Sequence, residues 1–391
     1  MRVLSVFGTR PEAIKMAPLV KRLQCEPRIA SSVCVTGQHR HMLDQVLDLF
    51  AICPDYDLDV MKPGQSLSGV ASDILGSLDP VLVEARPDLV LVHGDTSTTL
   101  CAALAAYYRR IPVGHVEAGL RTGDLGAPFP EEANRRLTAT LARLHFAPTR
   151  EAAANLRAEG VSAGVHVTGN TVIDALKLVR RQLDGDAALR VRLGERFSFL
   201  RPGARLVLVT GHRRENLGQG FDRICRAIES AARLFPDADF LFPVHLNPAV
   251  GSTVSRRLSD LANVHLAEPL EYLPFVYLMM RAHLVLTDSG GVQEEAPSLG
   301  KPVIVMRERT ERPEAVAAGT VELVGTDADA ILAAIHRLMS DSQHHERRSQ
   351  VCELYGDGTA CDRIIKAIRA GFELDRRTQR PSGFSLVGVD A

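Results

Sequence analysis

With 391 residues, 46% of them apolar, the chain is too long for one typical core and predicts two or three domains. Its 46 basic and 47 acidic residues leave a net charge of −1, so no overall field draws it to nucleic acid or anionic lipid. Seven cysteines without a CxxC pair argue against a disulfide framework or a zinc site. The N-terminus is too short for a signal h-region, and no stretch approaches the ~20 apolar residues of a membrane span. These features predict a soluble protein of a reducing compartment, the cytoplasm.

Short aliphatic or β-branched runs alternate with helix-length amphipathic stretches nearly from end to end. Strands are predicted at Val3–Phe7, Ser32–Thr36, Leu89–His93, Val113–Val116, His145–Ala147 and His166–Thr168. After a polar stretch near Asp184–Arg201 the rhythm restarts, with strands at Leu206–Thr210, Phe240–Val244, Val264–Leu266, Leu284–Thr287, Val303–Met306 and Val321–Val324. Mostly apolar strands separated by helices imply parallel sheets covered on both faces. The expected fold is α/β, with two doubly wound, Rossmann-like domains. The seam falls near Gly169-Asn170, giving domains over 1–169 and 170–356. A helix over 357–373 crosses back onto the first, and a tail over 376–391 lacks an apolar period.

In open parallel sheets ligands sit beyond the carboxyl ends of the strands, so polar residues that follow apolar runs carry the chemistry. After the first strand, Arg10 offers a planar fork and Lys15 a point charge, both suited to a diphosphate. An ordinary βα turn with Pro11 opening the helix fits the same residues. Asp95 is a candidate catalytic carboxylate or an N-cap. Glu117 sits at a strand end with Arg121 just beyond, in a glycine-punctuated loop. Glu131 follows Pro130 at a helix start, where an acid is favoured without any function.

In the second half, His212 beside Arg213 and Arg214 could protonate or steady a phosphate oxygen, or belong to a charged surface loop. His245 reads as a ligand contact or a turn histidine. Leu270 and Phe275 could wall a flat base, although Phe275 equally suits a core. The run from Asp288 to Pro297 is the most informative. Ser289-Gly290-Gly291 follows a buried strand and opens a helix, where bare N–H groups and the helix dipole favour an anion. Glu295 lies about one turn further on, placed to accept hydrogen bonds from hydroxyls. Phosphate beside ribose is the chemistry of a nucleotide. His39/His41 and His344/His345 lack the company of a metal site and read as surface residues.

These strings together resemble the bacterial non-hydrolysing UDP-N-acetylglucosamine 2-epimerases over nearly the whole chain. The matching segments begin at Val6, Thr36, His93, His115, Pro130, Thr168, Gly211, Asp288 and Glu311, the last reading Glu311-Arg312-Pro313-Glu314. The resemblance implies a glycosyltransferase-B-like fold with the active site in the interdomain cleft. It also implies interconversion of UDP-N-acetylglucosamine and UDP-N-acetylmannosamine for surface polysaccharides, without a cofactor or metal, by a homodimer. Asp95, Glu117, Glu131 and His212 match the family's catalytic positions. Arg10, His212, Ser289, Gly290, Gly291 and Glu295 match the family's UDP site, and Lys15, Arg135, Leu270, Phe275 and Arg312 are further candidates for substrate binding. Gln38, Gln65, Glu131, Arg213 and His245 match a second site where, in some bacterial members, UDP-N-acetylglucosamine acts as an allosteric activator.

The C2 proton of such a sugar lies beside an acetamido group, not α to a carbonyl, so simple deprotonation is unfavourable. Gly8 stands alone where a nicotinamide fingerprint would place three glycines, which disfavours transient oxidation. The phosphate turn and Arg10 favour loss of UDP, giving 2-acetamidoglucal, with re-addition and protonation on the other face. Three rivals remain open at this point. A glycosyltransferase of the same fold would share the nucleotide site, a hydrolysing epimerase would release free N-acetylmannosamine, and a nucleotide-sugar sensor would bind without turnover.

Overall fold

The structure is a computed structural model that describes residues 1–37, 40–62, 64–211, 216, 218–244 and 254–378, the side chains of 40, 41 and 373–378 excepted. Two wholly parallel sheets carry the chain. The first comprises β1 (Arg2–Phe7), β2 (Ala30–Val35), β3 (Tyr56–Asp57), β4 (Leu89–His93), β5 (Val113–Val116), β6 (Leu144–Ala147) and β7 (Val165–Val167). Its order is β3-β2-β1-β4-β5-β6-β7. The second comprises β8 (Arg205–Thr210), β9 (Ala238–Pro243), β10 (Val264–Ala267), β11 (Leu284–Thr287), β12 (Val303–Val305) and β13 (Val321–Leu323), in the order β10-β9-β8-β11-β12-β13. The predicted apolar runs all became strands, because helices cover both faces of each sheet and the inner strands are buried almost throughout, while the edge strands β3, β7, β10 and β13 are only partly buried.

Strand order reverses between β1 and β4 in the first sheet and between β8 and β11 in the second. A crevice opens at each such switch point, at the carboxyl ends of the strands. The loops after β1, β4 and β5 line one shared cleft with the loop after β11.

Helix Thr171–Gly185 leads from the first sheet toward the second. Its Val172, Ile173, Leu176, Val179 and Leu183 join the largest apolar cluster, which draws on both sheets through residues such as Val3, Phe7, Leu208 and Val285. The chain returns beside its own outward path: the Asn170 N–H donates to the Tyr355 carbonyl at 2.6 Å. A Cβ added to Gly169 (φ +88°) would lie 3.3 Å from both Gly356 Cα and the Tyr355 oxygen. The returning helix runs Ala360–Thr378 and packs on helices Arg10–Gln24 and Thr171–Gly185. Buried Asp174 accepts its first N–H groups, from Ala360 at 3.2 Å and Cys361 at 3.0 Å.

That helix begins at Ala360, later than the expected residue 357, because the Asp357 carboxylate folds onto the Thr359 N–H at 3.1 Å and hydroxyl at 2.6 Å. It also passes Arg376, where the apolar period ends; residues 379–391 lie outside the described residues. A further correction concerns His344 and His345, which are half-buried rather than exposed. The His345 ring stacks on His283 with centroids 3.8 Å apart. All seven cysteines are free thiols. Among the described residues no helix is long and apolar enough to cross a membrane, and no acid–imidazole–thiol cluster could hold a metal ion.

Candidate active site between the two sheets

The cleft has a volume of about 460 Å³. From the first sheet it is lined by Arg10, Lys15, Asp95, Glu117, Glu131 and Arg135, and from the second by Leu270, Phe275, Ser289, Gly290, Gly291, Glu295 and Arg312. Phe275 lines the cleft and also packs against the main core, so neither expectation for it excluded the other. Gln65 does not line the cleft; its amide donates to Asp73 at 2.7 Å. Gln38, His39, His212, Arg213 and His245 lie outside the described residues, as does the side chain of His41.

The β1 turn is fixed by a capping box. Thr9 caps helix Arg10–Gln24, and the buried Glu12 carboxylate accepts N–H groups of Gly8 (3.1 Å) and Thr9 (2.8 Å) and the Thr96 hydroxyl (2.7 Å). Glu12 therefore ties the β1 and β4 loops together. Gly8 admits no side chain, since a Cβ would meet the Thr36 hydroxyl at 1.9 Å. The Arg10 guanidinium, held in place by that turn, reaches the Leu270 carbonyl on the other side of the cleft at 3.1 Å.

Lys15 does not stand free as a phosphate ligand. Its ammonium makes a buried ion pair with Glu117 and lies 3.9 Å from Glu294. Arg312 is likewise met first by the chain itself, through an ion pair with Glu294, and Arg135 by Asp95. Burial pulls the Lys15 pKa down, but Glu117 and Glu294 outweigh it, and the net shift is upward. Burial opposes ionisation of Glu117, yet the surrounding cations, Lys15 foremost, hold it far below the usual carboxylate range. Glu294 is shifted the other way: burial raises it in spite of Arg312 and Lys15. His93, buried beside Glu117 with Nε2 at 3.9 Å, is depressed by burial to about 4 and stays a neutral imidazole.

Glu117 occupies the left-handed backbone region at φ +63°, uncommon for a side chain that gains nothing locally from it. Neighbouring Gly119, at φ +92°, allows the loop to press against Ala152, whose oxygen a Cβ would meet at 2.1 Å. Together these bends turn the carboxylate back into the cleft.

Across the cleft, Thr287 fixes the glycine turn by accepting the Ser289 N–H at 2.9 Å. Gly290 lies flat against the Arg312 guanidinium, and a Cβ there would sit 2.8 Å from a terminal nitrogen. A cation and exposed backbone N–H groups thus meet at a helix start, an arrangement that suits a diphosphate. Beside it Glu295 is buried and accepts the Tyr272 hydroxyl at 2.6 Å. Burial lifts its carboxyl to about 7, against the pull of that hydrogen bond.

Glu294, Asn170 and Tyr272 were not singled out from the sequence. Glu294 stands in the sequence only as part of the Asp288–Pro297 run, and Asn170 only as the expected seam; in the structure Asn170 caps helix Thr171–Gly185. Both lie inside matching family strings, and that was the available signal.

Comparison with known proteins agrees with this architecture. The profile of the family described as UDP-N-acetylglucosamine 2-epimerase matches residues 21–369. A UDP-N-acetylglucosamine 2-epimerase of Yersinia pestis is 58% identical over 370 residues, covering 94% of this chain and 98% of that one. The crystal structure of the Neisseria meningitidis enzyme bound to UDP-GlcNAc is 51% identical, with a TM-score of 0.92 over 95% of this chain and 100% of that one. The Methanocaldococcus jannaschii enzyme, solved with UDP-GlcNAc and UDP, is 31% identical, with a TM-score of 0.83 over 95% and 100%. With its two parallel sheets, its shared cleft and these relatives, the chain belongs to the UDP-N-acetylglucosamine 2-epimerase family of isomerases.

Proposed function

We propose that this chain interconverts UDP-N-acetylglucosamine and UDP-N-acetylmannosamine by eliminating UDP and adding it back. The observation that carries this reading is the buried, ionised Glu117 facing a phosphate-suited turn across one cleft. In the forward half, a carboxylate takes the C2 proton, the C1–C2 double bond forms, and the C1–O pair leaves on the UDP oxygen. Backbone N–H groups of Gly290 and Gly291, with Arg10 and Arg312, would bear that developing charge. In the return half, UDP attacks C1 and a proton reaches the other face of C2. Asp95, Glu117 and Glu131 are the acid–base candidates; His212 joins them by resemblance. An interdomain division at Gly169-Asn170, with closure of the lobes, would keep the glycal from water.

Turnover of UDP-N-acetylglucosamine in D₂O tests the reading. Deuterium is expected at C2 of UDP-N-acetylmannosamine, and retention of the original hydrogen, or release of free sugar, would overturn it. The homodimer and the activator site belong to the same proposal. Within the latter, Glu131 has one buried carboxylate oxygen with no hydrogen-bond partner.

Glu295 gives a pH prediction. Burial raises its carboxyl to about 7, and ribose hydroxyls donate best to the ionised form. Nucleotide binding then requires loss of that proton, so affinity is full above pH 7 and weakens below it, by up to about tenfold per unit. Calorimetry of UDP-N-acetylglucosamine binding should show proton release near pH 7. A Glu295→Gln variant should bind independently of pH there; a slope that survives the substitution would exclude Glu295 as its source.

A further inference from the structure

Asn170 occupies an unusual place. It caps helix Thr171–Gly185, its side-chain oxygen accepting the Val172 N–H at 3.1 Å. That bond settles which end of the amide is which, so the NH₂ group must point the other way. There it donates to Glu117 Oε2 at 2.6 Å and to Glu294 Oε2 at 2.8 Å. One amide, 2% exposed, thus spans a carboxylate from each sheet. Lys15 bridges the same two groups, and Arg312 grips the remaining oxygen of Glu294.

The consequence falls on the two oxygens of Glu117. Oε2 receives Lys15 and Asn170, whereas among the described residues nothing hydrogen-bonds Oε1. Oε1 lies on the side of Gly94, whose added Cβ would be 3.8 Å away, and Gly94 also lines the cleft. One oxygen is therefore anchored and the other is left open to the cleft. Glu294 cannot serve the same purpose, because its carboxylate is 1% exposed and both oxygens are occupied.

We propose that Asn170 and Glu294 are positioning residues for the epimerisation: Asn170 holds Glu117 by Oε2, and Glu294 fixes that amide from the second half of the chain, so that Oε1 is the atom that meets the C2 proton. This rests on the reading of Glu117 as an acid–base group. Neither residue touches the sugar; they set the direction of a carboxylate whose backbone is already in a costly conformation. A reacting atom displaced by about 1 Å can cost on the order of 10²-fold in rate.

The test uses Asn170→Ser, which keeps a helix-capping oxygen and removes both amide donors, and independently Glu294→Gln, which keeps the side chain's size. Each full-length variant is assayed for kcat and KM, for UDP affinity by calorimetry, and for melting temperature. The expected result is a fall in kcat of about 10²-fold, with KM and UDP affinity within roughly threefold of the parent, the pattern of an interaction that matters only in the transition state. Normal kcat in both variants would overturn the inference. So would loss of kcat in parallel with UDP affinity or melting temperature, since that marks a role in building the fold. An inactive parent, or an active Glu117→Gln variant, would instead sink the underlying reading and is distinguishable from either result.

Discussion

Glu117→Gln should reduce kcat by about 10²–10⁴-fold, the usual contribution of a positioned general acid or base. Binding of UDP-N-acetylglucosamine should remain, because the proposed nucleotide-binding groups Ser289, Gly290, Gly291 and Glu295 lie across the cleft. Gln preserves the shape of the side chain but cannot take a proton. The measurement is the appearance of the UDP-N-acetylmannosamine anomeric signal, alongside calorimetry of the unreacted complex. Near-parental turnover would remove Glu117 from the catalytic set and leave Asp95 and Glu131 to carry the chemistry.

The second large effect is expected from Lys15→Met, and it has two parts. Met fills a similar volume, so the change deletes a charge more than it opens a cavity. It leaves Glu117 and Glu294 buried around Asn170 with Arg312 as their nearby cation. Removing one partner of a buried pair typically destabilises by about 3–5 kcal/mol. The chemical part follows from sign. In the parent the Glu117 pKa is depressed, so its stabilising contribution is present above the unfolded carboxylate value and lost as pH falls. Without Lys15, burial dominates and the carboxyl moves up, so turnover should be lost at lower pH and recover as pH rises. Denaturant melts and a pH–rate profile check the two parts separately. A profile matching the parent's would mean that Lys15 does not keep Glu117 ionised. Adding Glu117→Gln should recover part of the lost stability, because the two side chains interact directly.

The strands were readable from sequence because each is an apolar run between punctuated loops, and burial on both faces makes that run its signature. β3 escaped for the opposite reason: Tyr56–Asp57 is a two-residue edge strand with no apolar run at all. Which candidates line the cleft was legible wherever position along a strand decided the matter, as for Asp95, Glu117 and the glycine turn, which all follow strand ends. What sequence could not show was who neutralises whom. Lys15 and Glu117 are separated by 102 residues, and Asn170 and Glu294 by 124. Cations that look ready for phosphate on the page are partly spent on the protein's own carboxylates, because the sheets bring those acids close and burial forbids leaving them alone.

The side-by-side passage of the chain at Gly169 and Gly356 has a mechanical corollary. Both crossings between the halves run through a single spot, joined there by the Asn170–Tyr355 hydrogen bond. Two separated connections would confine any relative movement to swinging about the line between them. Under the proposed division at Gly169-Asn170, coincident connections would act like a ball joint, leaving twist as well as opening available. A side chain at either glycine would press into the other passage at 3.3 Å, so a bulky residue at Gly169 or Gly356 would prise the two passages apart, far from any reacting atom.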